Sequence, residues 1–213
     1  MFDGGRYYAM KLKLLGFLLA IVLLGACRMS HPACQLSTGD LIFICDTTGM
    51  GQAIAQSTGQ YTHVAIAQCT DSGLFVVEAL PRRGVIRRPY TAFAHDYAYP
   101  LSHQAAFYRI TCPYDTAYLN QQLQNLIGQP YDDYFLPENG RLYCSELVYE
   151  CFRDSIGTPL FHAHPMNFLA PDGTLPAYWQ HLFDSLCVAV PQGVPGTNPT
   201  NLSQEPILCQ VNQ

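Results

Sequence analysis

The chain has 213 residues, of which 49% are hydrophobic and only 13% are charged. A chain of this size can bury a substantial core, and its length predicts one globular domain rather than two. Eleven Lys and Arg residues and a net charge of −5 argue against a nucleic-acid-binding surface, because such a surface needs clustered positive charge.

The amino terminus has the features of a secretion signal of the lipoprotein type. Lys11 and Lys13 precede an apolar run from Leu14 to Ala26, which is shorter than the roughly 18 to 20 residues of a membrane-spanning helix. The run ends in Leu-Gly-Ala-Cys, which resembles the lipobox of bacterial lipoproteins. We therefore expect Cys27 to be lipidated and to become the first residue of the mature chain, with an uncleaved anchor or a signal cut elsewhere as the alternatives.

The chain divides into a signal peptide, a tether, a folded domain and a poorly ordered tail, predicted at residues 1–27, 28–38, 39–190 and 191–213. The tail is assigned from its Pro, Gly, Asn and Gln content. Met1 and Met10 are both candidate start residues. A lipid anchor predicts a location in the cell envelope, facing the periplasm, and Arg28 in place of an aspartate favours the outer membrane over the inner one.

Short β-rich segments separated by turn residues predict a sheet of about five strands. The first is the apolar run that begins at about Asp40, and the second contains His63. A Gly, Ala and Gln-rich stretch between them is expected to form a short helix. The predicted strands lie at residues 40–45, 61–67, 74–80, 82–88 and 105–111, and the short helix at 49–60.

Two later segments have helical spacing of their apolar residues. Leu119, Leu123 and Leu126 share one face between Tyr114 and Ile127. The second helix lies within Leu-Tyr-Cys-Ser-Glu-Leu-Val-Tyr-Glu-Cys-Phe, and Cys144 stands at its beginning. Strands followed by helices predict an α+β domain.

Cys144 is the best-placed nucleophile among the nine cysteines. A thiol attacks a carbonyl as its thiolate, and a helix amino terminus and an imidazole both favour that form. The backbone N–H of a residue at this position can also face the oxyanion that forms on attack. Cys151 fits less well, because it lies two turns later on the apolar face.

His63 and Glu78 are the candidate base and orienting residue. His63 lies in an otherwise apolar strand, whereas the other six histidines lie in loops, in the tether or in late segments. If the two strands pair so that His63 and Glu78 are directly opposite, their Cβ atoms are ~5 Å apart on one face. A shift of one residue would separate them, in which case Asp40 or a loop residue is the alternative partner.

Five segments between Gly39 and Tyr149 form a recognisable series. They are Gly39-Asp40-Leu41-Ile42-Phe43, Thr62-His63-Val64-Ala65-Ile66, Val76-Val77-Glu78-Ala79, Gly128-Gln129-Pro130-Tyr131-Asp132 and Tyr143-Cys144-Ser145-Glu146-Leu147-Val148-Tyr149. In these segments the chain resembles the circularly permuted, papain-like branch of the NlpC-type cell-wall peptidase superfamily, and within it the YiiX/YebB-like proteins. In ordinary papain-like enzymes the cysteine helix precedes the histidine strand, whereas here His63 precedes Cys144.

The resemblance implies a permuted papain-like fold and a cysteine hydrolase with Cys144 as nucleophile, His63 as general base and Glu78 as the residue that orients His63. The implied substrate is an amide of the bacterial envelope, such as a peptidoglycan peptide, cleaved through a thioester and without a cofactor. Lecithin:retinol acyltransferase proteins share the permuted arrangement, so a lipid acyl ester hydrolase or acyltransferase is the alternative. An Arg-rich segment after Glu78 and extra residues from the 150s to the 180s depart from the family pattern and are expected to reshape the pocket.

Two further hypotheses concern other classes of protein. A non-catalytic binding module would hold an anionic ligand on a rim of four arginines, although solvated charge is the interpretation that we favour for them. They are Arg82, Arg83, Arg87 and Arg88. Metal or redox chemistry has little support, because the cysteines show neither a CxxC nor a paired Cys and His ligand pattern. We expect no metal, no cofactor and no nucleic acid, and as partners a peptide or acyl substrate and, through the lipid anchor, the membrane.

Overall fold

The computed structural model describes residues 36–46, 49–97 and 105–211. The predicted signal peptide, the lipidated Cys27 and nearly all of the tether lie outside these residues. Within the described ranges, no helix is both long enough and apolar enough to cross a membrane. The described cysteines are all free thiols.

A six-stranded antiparallel sheet forms the centre of the molecule. The described strands are β1 (Leu41–Ile44), β2 (His63–Thr70), β3 (Gly73–Leu80), β4 (Gly84–Pro89), β5 (Ala105–Ile110), β6 (His164–Pro165), β7 (Pro195–Gly196) and β8 (Leu208–Gln210). The sheet has the order β4-β3-β2-β1-β5-β8, so strands that are adjacent in sequence are mostly adjacent in space. A separate two-stranded ribbon pairs β6 with β7.

Six helices lie in the described parts of the chain. They are α1 (Met50–Thr58), α2 (Tyr90–Asp96), α3 (Thr116–Asn125), α4 (Cys144–Cys151), α5 (Ala177–Leu186) and α6 (Pro199–Ser203). Helix α4 packs against β2 and β3, and its first residue is Cys144.

The sequence Leu-Ile-Phe-Ile makes β1 the most deeply buried strand. All four residues are fully buried, and β1 pairs with β2 on one side and with β5 on the other. A strand that is covered on both faces has no need of alternating polar residues, so it reads as one continuous apolar run. This strand therefore fixes the centre of the sheet, and its last residue, Ile44, lies opposite His63.

The extra residues from the 150s to the 180s bring an aromatic cluster into the core. Phe168 and Trp179 meet edge to face with ring centroids 5.2 Å apart, and Phe135 meets Trp179 at 5.4 Å. Phe183 contacts Phe168 in the same geometry at 5.4 Å. Edge-to-face pairs of this kind add about 0.5–1.5 kcal/mol to the stabilisation from area burial, so this region is an integral part of the domain.

The prediction of a poorly ordered tail over residues 191–213 is wrong for the described part of that segment. It contributes β7, α6 and β8, and β8 is the sixth strand of the sheet. The Asn198 side chain accepts a hydrogen bond from the Asn201 backbone and caps α6. Thr200 accepts from the Tyr61 backbone N–H and donates to the Tyr61 carbonyl oxygen. Polar side chains order this segment through backbone hydrogen bonds, which composition does not reveal.

Gly84 is expected to be the most sensitive glycine of the sheet. Its φ is +70°, and a Cβ atom added there would lie 2.1 Å from the Gln129 carbonyl oxygen. That oxygen accepts a hydrogen bond from Val85 at 2.8 Å, so it cannot withdraw freely. Gly84→Ala should therefore lower the free energy of unfolding by about 2–4 kcal/mol, measured by urea denaturation.

Gly140 provides the matched control, because its φ is +74° and nothing lies within 4 Å of an added Cβ. Gly140→Ala should lower the free energy of unfolding by only about 1–2 kcal/mol, which is the cost of a left-handed backbone conformation for alanine. Equal losses for the two variants would show that the close approach to Gln129 is unimportant.

Candidate active site

Cys144 is the first residue of α4. Tyr143 precedes it in an extended conformation (φ −92°, ψ 172°), so the chain enters the helix abruptly at the cysteine. The first backbone N–H groups of a helix have no partner within the helix. The Cys144 side chain therefore lies where the partial positive charge of a helix amino terminus is present, next to an N–H that is available to a developing oxyanion.

His63 is the first residue of β2. The sequence had predicted a strand over residues 61–67, with His63 inside it. It is 9% exposed. Its Nε2 lies 2.7 Å from Glu78 Oε2, so Nδ1 is the ring nitrogen left to interact with Cys144. The structure thus brings together the three residues singled out in the sequence.

The surroundings of His63 favour its protonated form. Burial alone would lower its pKa, but interactions with Tyr97, Cys144 and Glu78 outweigh burial and raise the pKa well above 6.5. Because folding raises this pKa, the resulting stabilisation is fully present below about pH 6.5 and is lost as the pH rises through the folded-state value.

The predicted register between β2 and β3, in which His63 is directly opposite Glu78, is wrong. The contact between His63 and Glu78 nevertheless exists. Thr70 pairs with Gly73 and Ile66 with Val77, and the same register extended along the strands places Leu80, not Glu78, opposite His63. Glu78 is thus the diagonal neighbour on the same face, two residues away from the direct position. Long side chains can bridge such diagonal pairs, and a shift of two residues preserves the face where a shift of one would not.

Asp40, the alternative orienting residue, has a different role. Its two carboxylate oxygens accept hydrogen bonds from Arg109 at 2.7 and 2.6 Å, and one of them also accepts from the Ser37 backbone at 2.7 Å. This network joins the start of β1 to β5 and stabilises the sheet.

Arg88 binds the carboxylate oxygen of Glu78 that does not contact His63. Its Nε donates to Glu78 Oε1 at 2.6 Å, and its Nη1 donates to Asp96. Glu78 is fully buried and Arg88 is 8% exposed, so solvated charge is the wrong interpretation for this arginine. Arg82 and Arg83 are exposed, as that interpretation expected.

Arg87 is also exposed. It lies over the ring of Phe75, with its guanidinium carbon 3.8 Å from the ring centroid. Only one of the four arginines therefore reaches the buried site, and the other three do not form a single rim with it.

Tyr97 was missed in the sequence. Its ring stacks on the His63 imidazole with centroids 5.6 Å apart and an interplanar angle of 18°. It follows α2, a helix that no apolar periodicity indicated, so nothing in the sequence connected it with His63. The stacking holds the imidazole from one face while Glu78 holds it from the edge.

Two cavities meet at Cys144. One is a cleft that includes His63, Tyr97 and Leu80. The other, here called the apolar cavity, lies beyond the nucleophile and is lined by Ile54, Phe135, Met166, Phe168, Trp179 and Asn198 among others. Tyr131 lines both cavities, and burial raises its pKa well above 10, so it is a neutral wall at physiological pH.

Among residues 36–46, 49–97 and 105–211, no group of three or more His, Cys, Asp or Glu side chains is placed to hold a metal ion. Elsewhere, His162 Nδ1 lies 3.0 Å from Glu205 Oε1, and His164 lines the same surface cavity.

A cysteine at a helix start, beside a histidine that begins a strand of an antiparallel sheet, is the arrangement of papain-like cysteine hydrolases, here in permuted order. The chain belongs to the permuted papain-like amidase enzyme family (YaeF/YiiX, C92 family), whose model matches residues 35–212. This confirms the predicted resemblance and the α+β, permuted papain-like fold, and it makes a hydrolase the activity of the family.

Among solved structures, the chain is similar to the crystal structure of yiiX from Escherichia coli O157:H7, described there as a metalloprotein. The two share 22% sequence identity with a TM-score of 0.68, and the match covers 84% of this chain and 98% of that one. A likeness at this identity concerns the fold. No curated protein matches the chain.

Proposed function

We propose that the chain is a cysteine amidase in which Cys144 is the nucleophile, His63 the general base and acid, and Glu78 the residue that orients His63. The supporting observation is the buried arrangement itself. Cys144 opens a helix next to His63, and the other ring nitrogen of His63 is held 2.7 Å from a fully buried carboxylate. A nucleophile, a base and an orienting group in hydrogen-bond contact form a unit that structural packing alone does not require.

The reaction follows from these positions. The Cys144 thiolate attacks the amide carbon, and the backbone N–H of Cys144 donates to the oxyanion. The carbon–nitrogen bond then breaks as the His63 imidazolium gives its proton to the leaving nitrogen, which yields a thioester. His63, now neutral, removes a proton from water, the resulting hydroxide displaces the thiolate, and the acid is released.

The proposed substrate is an amide bond of the bacterial envelope, such as one in a peptidoglycan peptide. The proposal rests on the family's amidase activity and on the lipobox-like sequence that ends at Cys27. A lipid anchor there would hold the enzyme at the periplasmic face of the envelope, at the outer membrane in preference to the inner one.

A lipid acyl ester is the second candidate substrate. The apolar cavity next to Cys144 supports a short acyl group, because its volume is about 30 Å³ and Phe135, Phe168 and Trp179 give it an uncharged lining. Transfer of the acyl group to an acceptor other than water would use the same thioester.

Alkylation tests whether Cys144 and His63 form an ion pair. Because the pKa of His63 is raised, the imidazolium should persist at neutral pH beside the Cys144 sulfur, and the helix amino terminus adds a second positive influence there. Iodoacetamide should therefore label Cys144 of the full-length chain already at about pH 5 to 6, where ordinary thiols are protonated. His63→Ala should abolish this labelling at low pH, as followed by peptide mass spectrometry over about pH 5 to 9.

The exposed thiols Cys187 and Cys209 are internal references for the reagent. His181→Ala, which removes an exposed histidine, should leave the labelling of Cys144 unchanged. If Cys144 reacted only near pH ~8.5, as a free thiol does, and did so equally in His63→Ala, the catalytic proposal would be wrong and a non-catalytic binding module would be the better explanation.

A further inference from the structure

Helix α2 follows the edge strand β4 directly, and the residues at its carboxyl end lie beside His63. Pro89 is the last residue of β4 and precedes the helix with φ −56° and ψ 141°, so the chain passes from strand to helix without a loop. Phe93 is fully buried, and its ring contacts that of Tyr97 with centroids 4.8 Å apart. The buried Phe93 therefore determines where Asp96 and Tyr97 lie.

Two separate paths of contact connect this end of α2 with His63. The first is direct, because the Tyr97 ring stacks on the imidazole with an interplanar angle of 18°. The second begins at the Asp96 carboxylate, which accepts from Arg88 Nη1, and Arg88 Nε donates to Glu78 Oε1 at 2.6 Å. Glu78 Oε2 in turn lies 2.7 Å from His63 Nε2. Since Asp96 and Tyr97 are adjacent in the chain, the two paths close into a ring.

Arg88 is held between two carboxylates although it is only 8% exposed. Burial alone would lower the pKa of Arg88, but Glu78 and Asp96 outweigh burial and raise it. Asp96 is exposed, and its hydrogen bond from Arg88 lowers its pKa, so it is ionised at neutral pH. Besides Asp96, Nη1 has among the described residues only the Ala92 carbonyl oxygen, at 3.5 Å. Asp96 therefore fixes the side of the guanidinium that does not contact Glu78.

Tyr97 opposes a rotation that the Glu78 contact alone does not prevent. The torsion about the Cβ–Cγ bond of a histidine is broad, and Nε2 lies close to that axis whereas Nδ1 lies to one side of it. Rotation of His63 would therefore move Nδ1 away from Cys144 and disturb the hydrogen bond between Nε2 and Glu78 very little. A ring stacked on the imidazole with centroids 5.6 Å apart hinders this rotation, because the two faces would collide or lose contact.

We propose that the carboxyl end of α2 positions the imidazole of His63 for catalysis. Tyr97 sets the plane of the ring. Asp96 acts at a distance, because it fixes the guanidinium of Arg88 and, through it, the carboxylate of Glu78. This assignment rests on the proposed amidase chemistry, in which His63 is the base, and it adds α2 to the elements which that chemistry requires.

Steady-state kinetics and an NMR titration of the full-length chain test the role of Tyr97. Tyr97→Leu should lower kcat ~10- to 100-fold. It should also lower the pKa of His63, followed through the imidazole C–H signals that are absent from His63→Ala, because the aromatic face that favours the imidazolium is lost. Tyr97→Phe keeps the ring, so kcat should stay within ~3-fold of the wild type and the pKa of His63 should not change.

Asp96→Ala tests the path through Arg88. It should lower kcat ~3- to 10-fold in the wild-type chain, and it should have no further effect on kcat in the Arg88→Met background. It should also lower the pKa of His63, because the charge of Arg88 is then less neutralised. Asp96→Glu keeps the carboxylate and should restore kcat. Asp184→Ala is the matched control, since it removes an exposed carboxylate from α5 and should change neither kcat nor the pKa of His63.

The assignment is overturned if Tyr97→Leu matches Tyr97→Phe, if Asp96→Ala matches Asp184→Ala, or if Asp96→Ala lowers kcat equally with and without Arg88. Should Tyr97→Leu fail to fold, the exposed Asp96 decides the question. The NMR titration does not depend on turnover. A wild type that cleaves no substrate would therefore refute the proposed amidase, while the pKa of His63 in the variants would still decide whether α2 positions the imidazole.

Discussion

Cys144→Ala is expected to lower the hydrolysis of any amide or ester that the wild-type chain cleaves by at least ~10⁴-fold. The thioester cannot form without the sulfur atom, and no other described thiol shares the contact of Cys144 with His63. The measurement is kcat/KM on the best substrate from a panel of amides and acyl esters. Intact mass spectrometry with p-nitrophenyl acetate should show one acetyl group on the wild type and none at position 144 of the variant.

Cys151→Ala is the matched control because it changes the same residue type in the same helix. Cys151 is fully buried, and burial raises its pKa, so it is a packing residue without a nucleophilic role. This variant should lose about 1–3 kcal/mol of stability but keep its kcat. Retained hydrolysis in Cys144→Ala, or equal losses in the two variants, would refute the assignment of the nucleophile.

Glu78→Gln is expected to reduce kcat by ~10²- to 10⁴-fold and stability by about 2–4 kcal/mol. The Glu78 carboxylate accepts from His63 on one oxygen and from Arg88 on the other. An amide has a single oxygen, so its NH₂ group must face one of these two donors. A buried donor then remains unpaired, or the imidazole turns away from Cys144.

Arg88→Met provides the test of this explanation. In the double variant Glu78→Gln, Arg88→Met the amide NH₂ no longer faces a donor, and the amide oxygen can accept from His63. The double variant should therefore recover part of the kcat that Glu78→Gln loses, and the double-mutant cycle should give a coupling energy of about 1–3 kcal/mol. The pH profile of kcat should shift together with this recovery, because the hydrogen bond from His63 contributes to its raised pKa.

Additive effects in that cycle would contradict the proposed role of Glu78. They would show that the carboxylate stabilises the fold without orienting His63. A loss of stability without any loss of kcat in Glu78→Gln would lead to the same conclusion.

Much of the sheet could be predicted from the sequence because its strands are short apolar runs bounded by turn residues. The run at β1 is buried on both faces, and the two-residue turn at Asp71 and Ser72 joins β2 to β3. The helix that begins at Cys144 could be predicted from its apolar face. These features depend on residues that are close in sequence, and local patterns record them well.

The site could be predicted in its members but not in its geometry. Glu78 was selected for being on the same face as His63, and a register two residues away keeps that face. Arg88 looked like one of four similar arginines, and only its position in β4, opposite Val76 of β3, brings its side chain to Glu78. The position of Tyr97 beside His63 depends on how α2 packs, and β8 depends on its hydrogen bonds to β5. Neither feature could be predicted from neighbouring residues in the sequence.

The carboxy-terminal segment lines the cavity next to Cys144 but contributes none of the proposed catalytic residues. Thr197, Asn198 and Pro199 lie on the wall of the apolar cavity next to Cys144, although the nucleophile and His63 come from α4 and β2. In the proposed amidase, the residues that carry the chemistry are thus far in sequence from one wall of the cavity next to Cys144. Substitutions in this short carboxy-terminal segment can therefore alter which molecules are accepted while the chemistry stays intact, so selectivity and reactivity are free to evolve separately.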